Sequence, residues 1–132
     1  MSYLLDTDIC IYWLKGQESV RSAILSQSWS ALAISVITVA ELYYGAYNSA
    51  QIKQNLARAE QFVTHITVVP LGFAALAIYG NLKSQLRKAG TPLADFDLLI
   101  ASTALADDRT LVSNNLRHYE RIPNLKLQNW LR

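Results

Sequence analysis

Pro92-Leu93-Ala94-Asp95-Phe96-Asp97-Leu98-Leu99-Ile100-Ala101-Ser102-Thr103-Ala104-Leu105-Ala106 sets two carboxylates directly against a nearly unbroken apolar run. A helix over Asp95 to Ala106 belongs inside a protein, since apolar residues occupy almost every face of it. A carboxylate at the start of a buried helix loses water, and a cation, a hydrogen-bond donor or a proton must compensate. Two arrangements meet that demand. In one, Asp95 or Asp97 caps the helix and faces the positive end of its dipole; in the other, Asp97 holds a metal ion.

A buried helix needs elements to pack against, and the flanking sequence supplies them. After it, Asp107-Asp108-Arg109 reads as a turn into a strand, Thr110 to Ser113, that runs straight into Asn114-Asn115. Before it, Ala89-Gly90-Thr91-Pro92 ends a helix over Phe73 to Lys88, itself preceded by a strand, Ile66 to Val69, closed by Pro70. Gln51 to Val63 has helical apolar spacing, and His65 is expected to pack beside the strand that follows. Ala31 to Ile37 reads as a buried strand, β-branched at its end. It meets Thr38-Val39-Ala40-Glu41, the pattern of a capping box, and a helix through Ala46. The chain opens with an apolar strand, Met1 to Leu5, which hands over at Asp6-Thr7-Asp8 to a helix ending at Gly16; a second helix covers Glu18 to Gln27. A last strand is expected over Lys126 to Trp130.

Strands that alternate with helices and read as continuous apolar runs predict an α/β fold, a central parallel sheet of four to five strands covered by helices on both faces. No repeat or linker divides the chain, so residues 1–132 are read as a single domain. An apolar content of 52% with 17% charged residues excludes a disordered chain. The net charge of +2 neither demands nor excludes a nucleic-acid partner. From Arg109 onward, Arg109, Arg117, Arg121, Lys126 and Arg132 stand against Glu120 alone, a bias that suits a phosphate-tracking edge or a solvated face. Cys10 is the only cysteine, which excludes an internal disulfide and a thiolate zinc site. With no signal-peptide pattern at the N-terminus, a cytoplasmic location is expected. Trp29 to Tyr47 is long enough to span a bilayer, but Glu41 interrupts it and its two halves differ in periodicity, so two buried elements are expected and no membrane span.

In a parallel sheet covered by helices, strand carboxyl ends and helix amino ends share one edge. Asp6 follows the first strand, Glu41 the second, Asp97 opens the helix that feeds the fourth, and Asn114 and Asn115 follow that fourth strand. These residues are therefore predicted on one rim. Three ionised carboxylates a few ångströms apart repel, and a divalent cation relieves the repulsion. Oxygen ligands without thiolates or paired histidines favour Mg²⁺ or Mn²⁺ over zinc. Attack of activated water on a phosphodiester, with the metal stabilising the developing charge, is the chemistry such a site serves best.

Leu5-Asp6-Thr7-Asp8, Ile37-Thr38-Val39-Ala40-Glu41-Leu42-Tyr43-Tyr44-Gly45, Asp97-Leu98-Leu99-Ile100-Ala101 and Leu111-Val112-Ser113-Asn114-Asn115 resemble, in order and spacing, VapC-type toxins of the PIN-domain superfamily. The resemblance spans essentially the whole chain. It implies a metal-dependent endoribonuclease, active on structured RNA such as tRNA and held inactive by a VapB-type antitoxin, with homodimers and larger toxin–antitoxin assemblies. It further implies that Asp6, Glu41 and Asp97 bind the metal, with Thr7 and Ser113 as supporting hydroxyls. Asp95 lies off the family's acidic position and is assigned to the cap. Asp8 falls where many relatives have asparagine, and is either an outer metal residue or a solvated acid at the helix start. Where many PIN nucleases carry a further aspartate this chain has Asn115, and where close relatives often have a glutamate it has His118. That departure implies one firmly held ion. His118 itself is either a surface-loop histidine or a proton-transfer group.

Asp6-Thr7-Asp8 after a first strand also resembles haloacid-dehalogenase phosphatases, but the lysine and late acidic pair which that chemistry requires are missing from the strand ends. A receiver-like signalling domain lacks its aspartate at the end of a middle strand. A PIN-like binding module with an impaired site is the non-enzymatic alternative.

Overall fold

The computed structural model describes residues 1–132. Strands β1 (Tyr3–Leu5), β2 (Leu32–Ser35), β3 (Thr67–Val69), β4 (Thr110–Val112) and β5 (Leu127–Gln128) form one sheet. Their order is β3-β2-β1-β4-β5, and every neighbouring pair is parallel, as the alternating pattern predicts. The chain steps outward from β1 to β3, then crosses to the other side of β1 for β4 and β5. Its topological switch point therefore lies between β1 and β4, where an α/β sheet opens a crevice at its carboxyl edge.

Helices α1 (Thr7–Leu14), α2 (Glu18–Leu25), α3 (Val36–Tyr47), α4 (Ile52–His65), α5 (Phe73–Lys88), α6 (Asp95–Ala106) and α7 (Leu116–Tyr119) cover the sheet. Side chains on a strand point alternately to its two faces, and the core divides accordingly. Leu5, Leu32, Ile34 and Val112 pack with Ile9, Val20, Ile24, Leu42 and Phe62 from α1 to α4. Leu4, Ala33 and Leu111 pack on the opposite face with Leu82, Leu86, Leu98, Ile100, Ala101 and Tyr119 from α5 to α7. The apolar run that opens the sequence analysis is α6, with Leu98 and Ile100 to Ala104 all buried. Its buried hydroxyls are satisfied locally: Ser102 donates to the Leu98 carbonyl at 2.6 Å and Thr103 to that of Leu99 at 2.8 Å.

Helix ends follow the sequence signals at α1 and depart from them at α3 and α6. At the end of α1, Gly16 takes φ +77°, and the Gly16 and Gln17 N–H groups turn back to the carbonyls of Trp13 and Tyr12. That is the left-handed C-terminal motif for which glycine is suited. Helix α3 begins at Val36, earlier than expected, because the buried Ser35 hydroxyl accepts the Ile37 N–H at 3.0 Å. The β-branched pair Val36-Ile37 is thus helical, a tertiary override of strand propensity. Thr38 lies inside the first turn, and no capping box forms with Glu41. At α6 the cap position is Ala94, with no side-chain cap. Asp95 instead accepts from Tyr79 Oη at 2.8 Å and Lys83 Nζ at 2.9 Å on an exposed surface, so its expected capping role is replaced by an ion pair with α5. His65 is exposed rather than packed, its Nδ1 2.7 Å from the Gln61 carbonyl at the end of α4. No helix is long and apolar enough to cross a membrane.

Ser35→Ala removes the cap of α3 and is expected to lower the unfolding free energy by about 1 kcal/mol. Urea denaturation reads this directly. Glu41→Gln, outside any capping box, is expected to leave the urea midpoint unchanged.

Candidate active site

Asp6 occupies the first position beyond β1, where the strand ends and α1 begins. It is 6% exposed. The Thr7 N–H donates to its Oδ1 at 2.9 Å, and the Ser113 hydroxyl, arriving from the end of β4, donates to Oδ2 at 2.8 Å. Desolvation, followed by the charge of Asp8, pushes the Asp6 carboxyl up to about 7; the Ser113 and Thr7 donors pull it down, and Asp97 adds a smaller rise. The leading influences include no lysine or arginine, so this is a buried acid among like charges.

The neighbouring acids are each held differently. Asp8 is half-buried, not solvated: it accepts the Ile9 N–H at 2.7 Å and, across the crevice, the Asn114 N–H at 3.0 Å. Burial, ahead of any other cause, raises its pKa. Glu41, on the second turn of α3, accepts the Thr7 hydroxyl at 2.7 Å, and Thr7 Oγ1 also lies 3.0 Å from Thr38 Oγ1. Asp97, on the first turn of α6, has His118 Nε2 at 2.9 Å from Oδ2 and the Tyr119 hydroxyl at 3.4 Å from Oδ1. His118 therefore lies against an acid of the rim, on α7. Asn115 precedes α7 and donates its backbone N–H to Ser113 Oγ at 2.9 Å, which extends the hydrogen-bonded chain that ends on Asp6.

The rim thus gathers Asp6, Asp8, Glu41 and Asp97 with the hydroxyls of Thr7, Thr38 and Ser113. It does not close them into one ligand set: no three of the acids stand near enough together to hold an ion between their side chains. Each acid is drawn toward its own donors, and like charges favour separation. The donor chemistry still fits a hard divalent cation. Mg²⁺ takes one or two carboxylates directly and keeps several waters, so oxygen donors reached partly through water suit it.

Two residues of the rim escaped the sequence reading. Tyr119, fully buried, brings its hydroxyl to Asp97; Leu116, Tyr119 and Ile122 recur at intervals of three, the signal of an inward face, on which only the tyrosine carries a polar tip. Thr38, read as a cap, instead supports Thr7. The basic bias of the C-terminal stretch is partly cancelled, since Arg109 pairs with Asp107 and Lys126 with Asp108. Arg117, beside His118, is exposed.

Known proteins share the sequence and the fold. The chain is 38% identical over 132 residues to Ribonuclease VapC2 of Rickettsia felis, covering 98% of each chain. It is 34% identical over 131 residues to a tRNA(fMet)-specific endonuclease VapC of Salmonella typhimurium, again over 98% of each. Residues 3–125 match the PIN domain. This chain belongs to the VapC ribonucleases of the PIN-domain family. A chain in the crystal structure of VapBC2 from Rickettsia felis bound to a DNA fragment from their promoter superposes with a TM-score of 0.89 at 36% identity, over 98% of this chain and 99% of that one. Nucleases of this family are generally dependent on a divalent metal. The phosphatase reading of Asp6-Thr7-Asp8 is set aside, as Asp8 is engaged by two backbone donors and the family is another. The binding-module alternative gains no support from relatives named as ribonucleases.

The raised Asp6 pKa carries a linkage consequence. A carboxyl that titrates near 7 when folded and at 3.8 otherwise binds more protons in the folded state between those values. Its contribution to stability is fully present below about pH 4 and is lost as pH rises through about 7, a change of up to about 4 kcal/mol. Metal-free protein is therefore expected to lose stability across that window. Asp6→Asn, neutral throughout, should flatten this part of the profile and raise the thermal midpoint at pH 8 above that of the unmutated protein.

Proposed function

We propose that this chain is the toxin ribonuclease of a toxin–antitoxin pair, an endoribonuclease that hydrolyses RNA phosphodiester bonds with Mg²⁺ or Mn²⁺ held among Asp6, Asp97 and Glu41, in part through water. Its substrate class is tRNA, and the cytoplasm is where it meets it. The observation that carries this reading is the Asp6 carboxyl at the topological switch point, its pKa raised by burial first and then by Asp8, with Ser113 and Thr7 as its hydrogen-bond donors. A divalent ion there supplies Lewis-acid polarisation of the phosphate and activation of water as nucleophile. The protein's own part is to orient the acids: Ser113 and the Thr7 N–H hold Asp6, and the Thr7 hydroxyl holds Glu41. Asp8 ties the start of α1 to the exit of β4. Arg117, exposed beside the rim, supplies charge for the RNA backbone. The tRNA assignment is supported by the Salmonella relative, named as specific for tRNA(fMet).

Partners follow from the same relatives and from the surface. Related chains are found in VapBC complexes, which supports a VapB-type antitoxin as the inhibitor. A groove of about 260 Å³ between α1, α3 and α4, lined by Ile11, Leu14, Leu42 and Arg58, includes Glu41 in its wall, so a peptide laid there reaches the site. Tyr44 and Tyr47 on α3 and Phe73 and Leu76 on α5 expose the apolar surface that a homodimer requires.

Purified protein freed of antitoxin is expected to cut RNA internally in Mg²⁺ or Mn²⁺ and to stop when the ion is chelated. Asp97→Asn should reduce cleavage at least a hundredfold with the fold intact by circular dichroism. Glu41→Gln should lose activity at nearly unchanged stability, because its amide oxygen still accepts from Thr7. Sequencing RNA ends after brief expression should place the cuts in tRNA. Metal-independent cutting, or full activity in Asp97→Asn, would overturn the site assignment.

A further inference from the structure

Among the acids of the rim, Asp97 alone is held by nothing close to it in sequence or on the neighbouring helix start. Asp6 and Asp8 accept N–H groups of α1, and Glu41 accepts the hydroxyl of Thr7. No side-chain cap forms at the start of α6, and both contacts of the Asp97 carboxylate come from α7, on the far side of β4 in sequence. Consecutive residues supply them, one to each oxygen: His118 Nε2 at 2.9 Å from Oδ2, and the Tyr119 hydroxyl donating to Oδ1 at 3.4 Å.

We propose that Tyr119 and His118 are positioning residues that fix the Asp97 carboxylate in the orientation from which it binds the divalent ion. This rests on the reading of Asp97 as a metal ligand given above. Three features make the pair suited to the task. The Tyr119 ring is fully buried in the core cluster that also contains Leu4, Leu98 and Leu111, so its hydroxyl is delivered to a fixed point. The His118 and Tyr119 rings meet edge to face, with centroids 5.7 Å apart and planes at 79°, so each limits the other's rotation. One contact falls on each carboxylate oxygen, and an ionised carboxylate oxygen has acceptor capacity for more than one partner. The anchorage of Tyr119 in the core is apolar, and removing the hydroxyl leaves that packing in place.

Outer hydrogen bonds of this type change metal affinity by about 10- to 100-fold. The test titrates metal-free protein with Mn²⁺, following the free ion by electron paramagnetic resonance, in Tyr119→Phe, His118→Ala, His118→Gln and Asp97→Asn. Tyr119→Phe and His118→Ala should each weaken Mn²⁺ binding about tenfold at an unchanged metal-free melting midpoint. His118→Gln, whose amide nitrogen reaches the place of Nε2, should recover most of the loss, and saturating Mn²⁺ should restore kcat for RNA cleavage in Tyr119→Phe. Unaltered Mn²⁺ affinity in Tyr119→Phe and His118→Ala, with affinity lost in Asp97→Asn, would overturn the positioning role and leave the site assignment standing. So would affinity that falls only in step with the melting midpoint, or a His118→Ala loss that His118→Gln does not recover. Wild-type affinity in Asp97→Asn would instead remove Asp97 from the metal site and this inference with it.

Discussion

The burial of one carboxylate at the exit of the central strand constrains much of what surrounds it. Asp6 sits at the only place in a β3-β2-β1-β4-β5 sheet where the chain leaves the centre in both directions, so β1 and β4 open side by side at the crevice. A charge in that position loses water to the apolar strands beneath it and gains repulsion from Asp8 and Asp97. Its two donors, from Thr7 and Ser113, come from the first turn of α1 and the end of β4, and neither offsets the whole cost. The fold thus stores an electrostatic demand at its switch point, and a divalent ion is the simplest way to meet it.

The same demand explains why the rim is hydrogen-bonded across elements. Ser113 joins Asp6 to Asn115, Asp8 reaches the Asn114 N–H, Thr7 joins Glu41 to Thr38, and Asp97 is met by His118 and Tyr119. These links run between α1, α3, α6, α7 and the end of β4 and gather the acids at the carboxyl edge. The core below supplies stiffness: the alternation of Leu4 with Leu5, and of Leu111 with Val112, engages both layers of helices at once. A site built this way is as rigid as the sheet that carries it.

The architecture was legible in the sequence because apolar runs, helix periods and the order of elements are properties that packing rarely overrides. The placement of Asp6, Glu41, Asp97 and Asn115 on one edge follows from topology alone. What could not be read is how each polar group divides its hydrogen bonds. Thr38 and Glu41 match a capping box in spacing, yet Ser35 starts the helix first, and a cap depends on a helix start that spacing does not specify. Asp95 looked like the cap that frees Asp97. It is instead drawn off to Lys83 and Tyr79, because α5 lies alongside and offers a cation and a phenol on its surface. Tyr119 was invisible as a functional group, since a tyrosine on an inward helical face reads as core until the position of its hydroxyl is known.

These departures bear on how the opening helix works. With Ala94 at the cap position, the first turn of α6 has no side chain spent on its own N–H groups, and its two acids are released in opposite directions. Asp95 turns outward and fastens α6 to α5; Asp97 turns toward the crevice and meets α7. The positive end of the helix dipole is left to favour both charges, worth about 0.3–1 kcal/mol each at a helix start. A dipole favours a charge without fixing its direction, so the orientation of the Asp97 carboxylate comes from outside α6, from His118 and Tyr119 of α7.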